Sequence, residues 1–242
     1  SADIEGMAEL KSKLDRRALV RSGGAVALGA FLFRSSAFTS DPAARATPSA
    51  RAAAPGAQTG KVAARAAPDP VEFPVNRGLL ERARQAMETH ASSLRRRDRI
   101  ALIDFSEASS ERRMHLLDLE AGKATQLLVS HGSGSDPAHT GFVQSFSNAV
   151  GSDASSRGAY VTSNYYVGKH GRSQRLSGLD ATNDNALQRA IVLHSAWYAN
   201  PDMLRTHGML GRSQGCFAVG EKELDDVFAF LGEGRMIYAD RA

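Results

Sequence analysis

Residues 211–219 read Gly-Arg-Ser-Gln-Gly-Cys-Phe-Ala-Val, and Cys216 is the only cysteine among 242 residues. A thiol attacks as thiolate, and forming thiolate needs a base or a positive neighbour. His194 stands upstream at the end of the apolar run Ile191-Val192-Leu193. A histidine held at a strand end can take a thiol proton. Gly215 lets the backbone turn sharply and leaves room for a carbonyl group. The N–H groups of Gly215 and Cys216 could then hold the oxyanion that attack creates. The same residues also read as an inert core thiol, because free cysteine often behaves as a small hydrophobe. Spacing alone leaves both readings open, since isolated Cys/His pairs do not transfer between families. His207 is a rival base, nearer to Cys216 in sequence.

The elements that must position these groups follow from periodicity. Residues 191–195 form the strand carrying His194, which is followed by Ser195. Residues 196–210 form an insert between base and nucleophile and contain Trp197, Tyr198 and His207. A short helix over 201–207 is predicted there, with proline in its first turn and Gly208 as its C-terminal cap. Apolar residues 224, 227, 228 and 231 share one face of a helix within 221–231, and 236–239 read as a closing strand. Earlier, residues 100–105, 114–119 and 125–130 read as an antiparallel meander, with Gly122 in a tight turn between the last two. Residues 78–97 show helical spacing ending in Arg95-Arg96-Arg97, a solvated terminus that suits the macrodipole. Residues 131–158 are rich in Gly, Ser and Asp. His131, Asp136 and His139 match no strong ligand motif there, so a surface loop is expected, with no metal. Tyr165-Tyr166-Val167-Gly168-Lys169-His170-Gly171 places aromatic and basic side chains on a glycine-flexed loop. That suits a peptide with a free carboxylate, and equally a hairpin tip with solvated charges.

The N-terminal part has a different character. Arg16-Arg17 precedes an apolar, Gly/Ala-rich run over 22–33 that is too short to span a bilayer comfortably. This reads as an export signal over 1–39, with the paired arginines pointing to the twin-arginine route. The other readings of the run are a short helix or an uncleaved anchor. Residues 40–76 are rich in Ala, Pro and Arg and read as a disordered linker. The catalytic domain is then expected over 77–242. The formal charge of +4 resides in the first seventy residues, so the folded part is neutral and a nucleic-acid partner is not expected.

The residues His194-Ser195, then Gly211-Arg212-Ser213-Gln214-Gly215-Cys216, with Gly168-Lys169-His170-Gly171 upstream, resemble the active-site signature of the YkuD-type L,D-transpeptidases, in particular their murein branch. Gln214 stands where the broader family often has histidine. The resemblance implies a mainly β fold with short helices, a YkuD-type β-sandwich of two small packed sheets, preceded by a helix and the disordered N-terminal segment. It implies Cys216 as nucleophile, His194 as base in preference to His207, and Gly215 in the oxyanion hole. By analogy with other triads, the carbonyl of Ser195 would orient His194. Arg212, Ser213, Tyr166, Lys169 and His170 would face substrate, with Arg212 alternatively holding the loop. The implied substrate is a peptidoglycan stem peptide, processed by a monomer without cofactor in the periplasm or cell envelope. Membrane contact would come only through the export signal. An L,D-carboxypeptidase or endopeptidase on the same scaffold and a non-catalytic wall-binding protein are the alternatives.

Overall fold

The computed structural model describes residues 72–242. The export signal and the linker up to residue 71 lie outside the described residues. Helix α1 (Arg77–Thr89) opens the described part, and its N-cap Asn76 accepts a hydrogen bond from the Leu79 N–H at 3.1 Å. Phe73, within the stretch read as linker, is already buried in the core beside Leu79, Leu80, Ala83 and Met87 of this helix.

The strands are β1 (Arg99–Asp104), β2 (Met114–Asp118), β3 (Lys123–Leu127), β4 (Gly158–Gly168), β5 (Gly171–Gly178), β6 (Val192–Ser195), β7 (Phe217–Val219) and β8 (Met236–Asp240). Two further helices, α2 (Asp202–His207) and α3 (Leu224–Leu231), flank β7 in sequence. The mainly β architecture with short helices is as expected. The strands read as two packed sheets, however, are hydrogen-bonded into one of eight, in the order β3-β2-β1-β8-β4-β5-β6-β7. The reason is β8, which pairs parallel with β1 and antiparallel with β4 and so stitches the meander to the remaining strands. The sheet also bends back on itself. Past β3, the Ser130 N–H donates to the Ala218 carbonyl of β7 at 2.8 Å, and Gly132 bridges to Ser213.

Side chains alternate between the faces of a strand. On β1, Ile100 and Leu102 join the cluster under α1, while Ala101 and Ile103 enter the larger core with Phe217, Tyr160 and Leu193. Burial on both faces explains the unbroken apolar run Ile100-Ala101-Leu102-Ile103. Helix α3 covers the larger core with Leu224, Val227, Phe228 and Leu231. The segment read as a surface loop differs from expectation at its start, because His131, Ser135 and Asp136 are buried. The bridges to β7 and Ser213 draw that stretch underneath the loop that leads to Cys216.

Candidate active site

Strands β6 and β7 run parallel, with Leu193 opposite Phe217, His194 opposite Ala218 and Ser195 opposite Val219. Leu193, Phe217 and Val219 enter the large core, so His194 projects from the opposite face. Cys216 immediately precedes β7, and the thiol and the imidazole therefore belong to neighbouring strands.

His194 is 1% exposed. Its Nδ1 lies 2.9 Å from the carbonyl oxygen of Ser195. A carbonyl only accepts, so Nδ1 carries the proton and Nε2 carries the lone pair. Nε2 is buried without a hydrogen-bond partner. Burial above all pushes the pKa of His194 down to about 4; the Ser195 carbonyl opposes this, and His170 and Lys169 add to it. The ring is neutral at pH 7 and able to accept a proton. His170 stacks on it, with ring centroids 4.5 Å apart and planes at 23°. The neighbouring Lys169 Nζ donates to Gln214 Oε1 at 3.3 Å. The two-residue tip of the β4–β5 hairpin thus touches both His194 and the loop that leads to Cys216.

Cys216 is 6% exposed. Its Sγ donates to the Ala190 carbonyl at 3.5 Å rather than to His194. Burial pushes the thiol pKa up, while the Val192 N–H, Lys169, Arg189 and its own N–H pull it down. Ser213 shapes the loop around it, as Oγ donates to the Cys216 carbonyl at 2.7 Å and accepts the Gly215 N–H at 3.1 Å. The Gly215 N–H, expected to face an oxyanion, is therefore committed to Ser213 Oγ in this structure. Gly215 itself has φ +107, and a Cβ there would lie 2.7 Å from Ile191 Cδ1 and 2.9 Å from the Ala154 carbonyl. Both its conformation and its close packing require glycine.

Behind the loop lies a buried polar chain. The His131 carbonyl accepts the Ser213 N–H at 2.9 Å, and the Ser213 carbonyl accepts the Ser133 N–H at 2.8 Å. Arg113, fully buried, donates through Nη2 to His131 Nδ1 at 2.7 Å and to the Val129 carbonyl at 2.9 Å. His131 Nε2 faces Asp136 Oδ2 at 3.5 Å. Asp136 in turn accepts the N–H groups of Thr140 and Gly141, each at 2.8 Å.

The structure brings together Cys216, His194, Ser195, Ser213, Gly215, Lys169 and His170. Two other candidates lie apart from that cluster. Arg212 directs Nη1 at the carbonyls of Asp136 and Pro137, which makes it a tie between loops. Tyr166 packs beneath the Arg175 guanidinium, 4.2 Å from its ring centroid. His207 ends α2 and is exposed. Sequence reasoning missed Arg189 and Ala190, which meet the nucleophile loop from the segment before β6. No periodicity or motif marks them. Beside the site, a cleft of about 580 Å³ is lined by Lys169, His170, Ser195, Trp197, Tyr198 and Asp225 among others. Trp197 is 66% exposed at its wall. A larger cavity of about 1080 Å³ lies away from the thiol, around Phe73, Asp104 and His115.

No curated protein matches the sequence. Among solved structures, an L,D-transpeptidase from Mycobacterium smegmatis is similar at 12% identity and a TM-score of 0.36, over 59% of this chain and 58% of that one. An L,D-transpeptidase from Xylanimonas cellulosilytica is similar at 13% identity and a TM-score of 0.36, over 65% of this chain and 68% of that one. The chain thus spans less than two thirds of the Mycobacterium smegmatis protein's length. The assignment rests instead on the family model described as "L,D-transpeptidase catalytic domain", which matches residues 73–239, from the buried Phe73 to Ala239 within β8. By that match over most of its length, the chain belongs to the L,D-transpeptidase catalytic domain family.

Proposed function

We propose that the protein is an L,D-transpeptidase that acts on peptidoglycan stem peptides through a thioester on Cys216. The observation that carries this reading is the tautomer of His194. With Nδ1–H given to the Ser195 carbonyl, the Nε2 lone pair is left unpartnered on the strand beside the thiol. In the resting arrangement the thiol is held by Ala190. Proton transfer requires Sγ to leave the Ala190 carbonyl and turn to Nε2.

His194 then takes the thiol proton as sulfur attacks the carbonyl carbon of the L-centre in the donor peptide. The S–C bond forms and the C–N bond to the terminal D-residue breaks. The leaving amine takes its proton from His194. An acceptor amine attacks the thioester next, passes a proton to His194, and releases sulfur, which recovers that proton. The amide N–H of Cys216 is the available donor to the oxyanion, joined by that of Gly215 once it exchanges Ser213 Oγ for the substrate oxygen. Lys169 and His170 line the adjacent cleft and would receive the peptide. The protein would work in the cell envelope, delivered by the signal read in residues 1–39.

Intact mass after incubation with a carbapenem tests the thioester chemistry. A single adduct is expected on the wild type and none on Cys216→Ala. Absence of an adduct on folded wild type would sink the reading. Muropeptide products then identify the acceptor: crosslinked dimers for an amine, trimmed tripeptides for water. For export, Arg16→Lys with Arg17→Lys is expected to retain the protein in the cytosol, and unchanged export would remove the twin-arginine route.

A further inference from the structure

Arg189 is a cation held against the loop that precedes Cys216, its guanidinium bonded only to neutral acceptors, with the Asp153 carboxylate beyond ion-pair distance. Its Nη2 donates to the Ser152 carbonyl at 2.9 Å and to the Ala154 carbonyl, and its Nη1 to the Ser147 carbonyl and to Ser156 Oγ. Every one of these acceptors is neutral. Among the described residues no carboxylate comes within ion-pair distance of it, Asp153 acting only from farther off, and its buried Nε has no hydrogen-bond partner. The same Nη2 would stand 3.3 Å from a Cβ on Gly215, so the guanidinium lies against the backbone immediately before Cys216. The next residue, Ala190, has φ +53, a left-handed conformation that an L-residue adopts at a cost. Its carbonyl is the one that receives the Cys216 thiol. Residues 189 and 190 therefore meet the nucleophile twice, once with a charge and once with an acceptor.

Neutral acceptors satisfy the donors of a guanidinium without cancelling its charge. A partly desolvated cation is stabilised when an anion forms beside it. We propose that Arg189 is a positioning residue that supplies the fixed positive charge beside the Cys216 thiolate, while the Ala190 carbonyl parks the protonated thiol. The proposal rests on Cys216 being the nucleophile. The titratable groups acting on the thiol are Lys169 on the β4–β5 tip, Tyr198 after β6, and Arg189; His194, with His170 stacked on it, lies on the neighbouring strand. Asp153 and Tyr160 face Arg189 from its other sides. Burial pushes Tyr198 up to about 12 and His194 down to about 4, so both are neutral at pH 7. Lys169 is exposed on a hairpin tip, where solvent and salt screen it. Arg189 is the pinned charge.

The test is the pH dependence of Cys216 alkylation by iodoacetamide, read by intact mass on the full chain. Arg189→Gln is expected to raise the inflection by about one pH unit, which is about tenfold slower alkylation below it. Arg189→Lys, with its charge drawn back from Gly215, is expected to shift it in the same direction by less. An unmoved inflection in folded Arg189→Gln overturns the proposal. If circular dichroism shows that Arg189→Gln does not fold, an unmoved inflection in Arg189→Lys overturns it instead. Wild-type Cys216 that resists alkylation at every pH removes the nucleophile itself. Alkylation with equal inflections in wild type and variants removes only the role of Arg189.

Discussion

Two histidines are buried to the same degree, His131 beneath the nucleophile loop and His194 at the end of β6, each 1% exposed. Burial is the leading cause of a depressed pKa in both, to about 3 for His131 and about 4 for His194. Both have an Nε2 without a hydrogen-bond partner. They differ in what meets Nδ1. Arg113 can only donate, so Nδ1 of His131 accepts and its proton sits on Nε2, facing Asp136. The Ser195 carbonyl can only accept, so the His194 proton sits on Nδ1 and the lone pair on Nε2. One ring is braced as a strut, and the other keeps a free lone pair, as the proposed base requires. Burial and pKa direction do not separate them; the neighbour of a single nitrogen does.

Replacing each ring is the strongest way to break this comparison. His194→Gln is expected to slow carbapenem acylation by about 10²–10⁴-fold, the usual worth of a general base, with a melting temperature close to wild type. His131→Ala is expected to cost about 3 kcal/mol in urea denaturation, because it strands a donor of the buried Arg113. Acylation by the folded fraction should then stay within a few-fold of wild type. Equal loss of acylation in both variants would show that the tautomers do not divide the roles. The pH dependence of stability comes next. Each folded pKa lies below the ordinary histidine value of 6.5. The unfolded chain therefore binds more protons in the window below about 6.5, and stability rises with pH there. Stability is complete above that window and is lost as pH falls towards about 4, with each histidine contributing a slope of up to about 1.4 kcal/mol per pH unit. Urea midpoints at stepped pH should show His131→Gln removing one such share, and an unchanged slope would contradict burial of a neutral ring.

Smaller effects sharpen the picture on the His194 side. Ser213→Ala loses two hydrogen bonds at the nucleophile loop and is expected to cost about 1–2 kcal/mol in stability. It should slow acylation about tenfold as Gly215 and Cys216 lose their shared anchor; acylation at the wild-type rate would make the clamp purely structural. His170→Ala removes a ring stacked on His194, worth about 1 kcal/mol for an aromatic pair. Acylation about five-fold slower, with its acid-side inflection moved upward in pH, is the expected result. An unshifted profile would mean that the stack does not hold the base.

Local pattern made much of the scaffold legible. Short apolar runs located β1 and β8, Gly122 marked the turn before β3, and α3 showed its buried face through Leu224, Val227, Phe228 and Leu231. The Gly208 cap after α2 was readable for the same reason, with φ +71 supplied within a single turn. The pairing of Cys216 with His194 drew on motif resemblance. What escaped was carried by contacts between residues far apart in the chain. The buried state of His131 depends on Arg113 and on bridges to Ser213 and Ala218. The single sheet depends on β8 entering between β1 and β4. Arg189 gained its place from carbonyls at residues 147, 152 and 154, which no side-chain pattern encodes.

The central position of β8 has a consequence for how the molecule comes into being. β8 is the last of the eight strands to leave the ribosome, yet β1 and β4 find their shared neighbour only in it. Until then the meander and the β4–β7 limb are two open-edged halves whose long-range pairings have no partner. Such high contact order slows folding and exposes unpaired edges. The thiol environment, assembled from residues before β6, at β7 and beyond β3, matures only after that closure. A nascent chain would therefore carry Cys216 with the reactivity of an ordinary cysteine, and the activated nucleophile would be a property gained after synthesis.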